Sequence, residues 1–257
     1  MEAYHLEQRE SLGILHLHAG SANALNYQVM EALTSGLRQA VSSRLKGLVL
    51  TGYDRFFSAG LDLVTVYEFN RKEMSRFLED FDAALKQLFG HPMPVVAAIN
   101  GAATAGGCIL ALACDYRLMA AGSGIIGLNE IHLGLPLPAT ALQISRFSLP
   151  SLHQAYVLYS GRLFQPEEAL AVGLLHEVVP PDQLLGSAFS RLQMFTEHPG
   201  NASITLKTAL RGNALDRMTK SAGAVREAFL EAWFSPEARQ RVGELRQQLL
   251  AKKQGKA

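Results

Sequence analysis

Two stretches of this chain carry residue types that could do chemistry. The first, Ile99-Asn100-Gly101-Ala102-Ala103-Thr104-Ala105-Gly106-Gly107-Cys108, is small and glycine-rich and runs straight into the Ala/Leu segment ending at Asp115. Small residues let another molecule approach the backbone, and the first amides of a helix lack intrahelical acceptors. Such a turn suits an anion or a developing oxyanion. The second, Gly127-Leu128-Asn129-Glu130-Ile131-His132-Leu133-Gly134, holds one carboxylate among apolar neighbours. Burial raises a carboxyl pKa, and a base near neutrality is catalytically useful. Oxyanion donors plus one base point to enolate chemistry. The alternative for Glu130 is a structural acid paired with Lys or Arg, or a turn cap.

A third segment, Phe57-Ser58-Ala59-Gly60-Leu61-Asp62-Leu63, reads either as a second donor loop, with the Leu61 N–H aimed at the same oxygen as that of Gly106, or as a helix entry. Gly106 and Gly107 serve a ligand or close packing. Asn129 positions substrate or caps a turn, and Asp62 reads as a cap. His91 and His132 read as packed or surface histidines. Arg239, Arg241, Arg246, Lys252, Lys253 and Lys256 make the C-terminus basic, either a solvated face or a phosphate contact.

The elements that must position these residues alternate in the first half. A hairpin is expected at 4–9 and 12–18, its second strand half-exposed. Helices follow at 26–41 and 72–89, with strands at 47–51, 94–100 and 115–120 around the Cys-containing helix; 56–62 reads as a turn. Helices are expected at 151–159, 165–172, 181–197, 201–210, 221–233 and 236–253, with a strand at 175–179. This is an α/β core over 1–190 and a helical region over 191–257.

The chain has 257 residues, 48% hydrophobic and 18% charged, with net charge +1. That balance argues against a nucleic-acid partner. Cys108 and Cys114 read as core thiols rather than a disulfide or metal site. No leader-like pattern and no run of about 18 uncharged apolar residues is present, so no membrane association and a cytoplasmic setting are expected.

Together Ala22–Asn26, Phe57–Leu63, Pro94–Asp115, Gly127–Gly134 and Tyr159–Leu174 resemble the crotonase superfamily, the enoyl-CoA hydratases and isomerases. The resemblance implies repeated strand–strand–helix units and a C-terminal helical region that builds homotrimers or dimers of trimers. It implies an acyl-CoA thioester substrate, coenzyme A entering as part of it, and no other cofactor or metal. Its carbonyl oxygen would meet the N–H groups of Leu61 and Gly106. CoA would lie against Ala22, Asn23, Ala24, Leu25, Ala59, Gly60, Leu61, Asp62 and Leu63, with Gly107, Ile109 and Asn129 completing the substrate site. Family hydratases carry two carboxylates. Here Ile109 stands at the first position and Glu130 at the second, an arrangement similar to the 3,2-trans-enoyl-CoA isomerases. The expected reaction is therefore migration of the 3-enoyl-CoA double bond, with Glu130 as the proton shuttle; the alternatives are another acyl-CoA reaction of the family (hydration, thioester hydrolysis or decarboxylation) or a non-catalytic acyl-CoA-binding protein with Glu130 structural.

Overall fold

The computed structural model describes residues 3–122, 124–198 and 201–254. Its first half is built from one repeated unit, two strands and a helix. The first unit is β1 (Tyr4–Arg9), β2 (Leu12–Leu17) and α1 (Tyr27–Ser42). The second is β3 (Gly47–Thr51), β4 (Phe56–Ser58), the short α2 (Leu63–Val66) and α3 (Arg71–Phe89). The third is β5 (Val95–Ile99), β6 (Ala102–Thr104) and α4 (Gly106–Ala113). The fourth is β7 (Tyr116–Ala120), β8 (Ile126–Gly127), a 3₁₀ turn over Glu130–Leu133, and α5 (Ala139–Ser148). After these come α6 (Ser151–Ser160), β9 (Leu163–Phe164), α7 (Pro166–Ala171), β10 (Glu177–Val179) and α8 (Leu184–Thr196). Two long helices, α9 (Ala202–Trp233) and α10 (Pro236–Gln254), end the chain.

From the second unit on, the two strands of each unit go to different sheets. The six-stranded sheet has the order β1-β2-β3-β5-β7-β10, parallel except for the β1–β2 hairpin. The four-stranded sheet has the order β4-β6-β8-β9, with β4, β6 and β8 parallel. The larger sheet is covered on both faces, as parallel sheets are. Leu12, Ile14, Val49, Val96, Ala98 and Leu118 pack with Leu184, Ala188 and Leu192 of α8. The alternate residues Leu15, Leu17, Leu48, Leu50, Val95, Ala97 and Ile99 enter the main core. Strand β2 is therefore buried along both faces rather than half-exposed.

Other expectations are corrected. The 56–62 turn opens with β4, and the glycine-rich turn contains β6. The helix expected at 181–197 begins as a 3₁₀ turn, Pro181–Gln183, because two prolines precede α8. Helices at 201–210 and 221–233 are one helix, α9, whose Met218, Phe229 and Trp233 belong to the main core. Helix α5 was not expected at all. Among the described residues no helix is long and apolar enough to cross a membrane. Both cysteines are free and buried, and burial pushes their thiols up, that of Cys114 to about 12.

Candidate active site

Strands β4, β6 and β8 are neighbours and parallel, so their C-terminal ends share one edge. Open α/β sheets bind ligands at such ends. Leu61 lies just beyond β4, Gly106 just beyond β6 and Glu130 just beyond β8. The first two loops touch. Gly60 has φ +81, and a Cβ there would stand 2.7 Å from the Thr104 carbonyl and 3.2 Å from the Gly106 nitrogen. The Thr104 hydroxyl donates to the Ala59 carbonyl at 3.2 Å.

Neither candidate donor has an acceptor among the described residues. Leu25 runs parallel to Leu61, donating to the Gly60 carbonyl (2.7 Å) and accepting from the Asp62 N–H (3.0 Å). In that pattern the Leu61 N–H faces away from Leu25, and it has no acceptor among the described residues. Gly106 opens α4, where an amide has no intrahelical acceptor. Ala105 before it holds φ +52 and ψ −122, a conformation alanine adopts only under strain. The Ala105 N–H donates to the Gly127 carbonyl at 2.8 Å, tying the α4 entrance to β8.

Glu130 opens the 3₁₀ turn that Gly134 closes in the left-handed region. The residue is partly exposed, yet its Oε2 is shut from solvent and has no hydrogen-bond partner. No lysine or arginine pairs with it among the described residues. Burial raises its pKa to about 7. Its charge in turn helps raise the Cys108 thiol, after burial, so the carboxylate lies within electrostatic reach of the first turn of α4. A carboxyl poised there accepts and returns a proton near neutral pH.

The other residues singled out in the sequence pack or hydrogen-bond around these loops, or lie apart from them. Ala59 donates to the Ala22 carbonyl (3.1 Å), and Ala24 closes a turn onto Ser21. Leu25 Cδ1 covers the Gly106 Cα, 2.7 Å from where a Cβ would sit. Ile109, one turn after Gly106, is buried. Gly107 is demanded by packing, since its Cβ would stand 2.1 Å from the Ser58 carbonyl. The Asp62 carboxylate caps α2, accepting from Thr65 Oγ1 (2.8 Å) and from Asn26 Nδ2 (3.1 Å). Leu63 opens that helix, buried. Asn129 precedes Glu130, partly exposed and without a capping bond. His132 contacts the Ser160 carbonyl through Nε2 at 3.0 Å. His91 is buried, which pushes its pKa down to about 4.

Three arginines of the basic C-terminus work within the chain, and Lys252 is exposed. Arg239 stacks 3.5 Å over Tyr67 and donates to its carbonyl (3.0 Å). Arg246 pairs with Glu68, and Arg241 donates to the His132 carbonyl (2.8 Å). Helix α10 thus ties the segment after Leu61 to the turn that carries Glu130. The Lys253 side chain and Lys256 lie outside the described residues. The sequence motifs contain Ala105 and Asn23, both at positive φ, but assign neither a role of its own, and they leave Tyr53 as a turn residue. Asn23 alone carried a signal, as asparagine tolerates the left-handed region.

The sequence pattern of the enoyl-CoA hydratase/isomerase family matches residues 7–252. Enoyl-CoA delta isomerase 1, mitochondrial, of Mus musculus is 32% identical over 227 residues, 87% of this chain and 77% of the relative. A probable enoyl-CoA hydratase of Bacillus subtilis is 29% identical over 244 residues, 93% of this chain and 94% of the relative. The crystal structure of human mitochondrial delta3-delta2-enoyl-CoA isomerase superimposes with a TM-score of 0.92 at 26% identity, covering 98% of this chain and 99% of that one. The repeated units, the shared edge of β4, β6 and β8, and these likenesses agree: the chain belongs to the enoyl-CoA hydratase/isomerase family and has the crotonase fold.

Proposed function

We propose that the protein shifts the double bond of 3-enoyl-CoA to trans-2-enoyl-CoA, in fatty-acid metabolism. The observation that carries this reading is one carboxylate at the shared strand edge, Glu130, whose buried Oε2 has no hydrogen-bond partner among the described residues, with the isoleucine Ile109 where family hydratases place a second carboxylate. The ionised carboxylate takes a proton from C2. The electron pair moves onto the thioester oxygen as a dienolate, held by the Leu61 and Gly106 N–H groups. The pair returns as C4 takes the proton back from Glu130, and the double bond then lies between C2 and C3. One such donor is worth ~3–4 kcal/mol when preorganised. Hydration needs a second group to hold and activate water, and Ile109 has neither donor nor acceptor. The cycle moves only a proton, so coenzyme A enters with the substrate and no other cofactor takes part.

The deciding assay offers cis- and trans-3-enoyl-CoA beside a trans-2-enoyl-CoA hydration control. Isomerised product without hydration is expected; a dominant 3-hydroxyacyl product overturns the reading. We also propose self-association as a trimer or dimer of trimers. Leu152, Tyr156 and Tyr159 form an exposed stripe along α6, with Leu206 and Leu210 exposed on α9. Light scattering coupled to gel filtration reads the stoichiometry.

A further inference from the structure

The Leu61 amide does not orient itself. It sits in a segment with no helix or sheet ladder of its own, so its direction depends on what grips the backbone on either side. On the C-terminal side the grip is the Asp62 carboxylate, bound to Asn26 and Thr65. On the N-terminal side it is the segment 20–25, which lends the Ala22 carbonyl to Ala59 and both backbone groups of Leu25 to Gly60 and Asp62.

That segment is itself held by one buried side chain. Asn23 is fully buried, with φ +47. Its Oδ1 accepts from the Ala19 N–H (2.9 Å), and its Nδ2 donates to the carbonyls of Leu17 (2.9 Å) and Phe57 (3.1 Å). Ser58 Oγ donates to the Asn23 carbonyl at 2.8 Å. One amide therefore spans the end of β2 in the large sheet and β4 in the small one, using both donors and an acceptor. Tyr53 completes the brace from outside. Its hydroxyl donates to the Gly20 carbonyl (2.7 Å) and accepts from the Ala22 N–H (2.8 Å), with His18 stacked on its ring.

We propose that Asn23, backed by Tyr53, is a positioning residue that aims the Leu61 N–H at the reacting carbonyl. The inference rests on the acyl-CoA reading above. Asn23→Asp keeps the size and the acceptor for Ala19 but turns the two donors into repulsion against the Leu17 and Phe57 carbonyls. The donor loop then loses its anchor to the large sheet.

The test uses p-dimethylaminocinnamoyl-CoA, a conjugated thioester whose absorption moves to the red when hydrogen bonds polarise its carbonyl. The native protein and Glu130→Gln both shift the bound probe. Asn23→Asp binds it with most of the shift gone, and kcat on 3-enoyl-CoA falls about 100-fold while KM moves less than ~3-fold. Tyr53→Phe, at a half-buried site that loses only a hydroxyl, loses about fivefold in kcat and part of the shift. It decides the matter if Asn23→Asp does not fold. A purely structural role lowers Tm but leaves shift and kcat per folded site unchanged, and that result in both variants overturns the inference alone. No shift with the native protein overturns the acyl-CoA reading, and this inference with it.

Discussion

Two acids withdrawn from water, Asp115 and Glu130, sit at the ends of the same α/β framework and are treated in opposite ways. Asp115, just before β7, is saturated. Its Oδ2 accepts from the Val95 N–H (2.7 Å) and pairs with Lys207 (2.7 Å), and its Oδ1 pairs with Arg211 (2.9 Å). Those cations also bond the carbonyls of Met93 and Ala113, and Arg211 lies 4.1 Å over the Phe89 ring. The result docks α9 onto the strand starts. Glu130 has a buried oxygen, Oε2, without a hydrogen-bond partner, and no lysine or arginine pairs with it among the described residues. A paired charge organises structure, whereas an unpaired one costs stability and stays available for chemistry. Around Glu130 the neglect extends to the backbone: the Leu61 and Gly106 amides lack acceptors among the described residues, and Ala105 is strained.

The largest effect that tests this contrast is on catalysis. Glu130→Gln keeps the shape and removes the proton acceptor, so isomerase turnover falls about 10⁴-fold while acyl-CoA binding survives. Turnover within tenfold of native shows that the unpartnered acid is not the base. The matching change at the other acid acts on stability. Asp115→Ala leaves Lys207 and Arg211 buried without a countercharge, at a cost of roughly 3–5 kcal/mol and on the order of 10 °C in Tm. Turnover per folded molecule is unchanged. A variant that melts normally but turns over slowly breaks the division of labour between the two sites.

Glu130 also couples the two properties through pH. An unfolded glutamate releases its proton near 4.5, whereas burial holds it on the folded protein up to about 7. The folded state therefore binds more protons between those values, and stability falls as pH rises through the window. At about 1.4 kcal/mol per unit, the penalty above pH 7 is on the order of 3 kcal/mol. Glu130→Gln melts with the native protein near pH 4.5 and above it at pH 8. Activity runs the other way, since only the ionised base works: kcat/KM climbs through about pH 7. A melting curve that stops falling at the pH where the rate profile has its midpoint identifies a single group; a rate midpoint away from that upper break assigns the rate to a different residue.

Much of this site was legible before any coordinates. A carboxylate in an apolar run and glycines before an Ala/Leu helix are local features, and residue type alone exposes them. The shared edge was not legible. Strands of two or three residues, such as Phe56–Ser58, Ala102–Thr104 and Ile126–Gly127, are too short to show a period, so only pairing reveals them. The Asp115–Arg211 pair and the Asn23 brace join residues far apart in the chain, where composition and spacing carry no signal. Helix α9 was split because its polar stretch around Arg211–Lys220 has no apolar stripe; tertiary packing of Met218 and the buried guanidinium hold it instead.

The smallest expected effect concerns Ala105, where the contrast narrows to one dihedral angle. Alanine at φ +52 and ψ −122 stores about 1–3 kcal/mol of strain, which glycine would not. Glycine gives back about 0.4–1 kcal/mol through the freer unfolded chain, so Ala105→Gly stabilises by about 1 kcal/mol. If strain were only a defect of the turn, turnover would stay the same or rise with stability. The residue sits between the Gly127 carbonyl, which holds its N–H, and the Gly106 N–H that meets the substrate in the proposed reaction. Loosening it widens the directions open to that donor, and turnover falls several-fold as Tm rises by a few degrees. A gain in stability with no loss of rate shows instead that β6 and α4 aim the Gly106 amide without help from the strained residue.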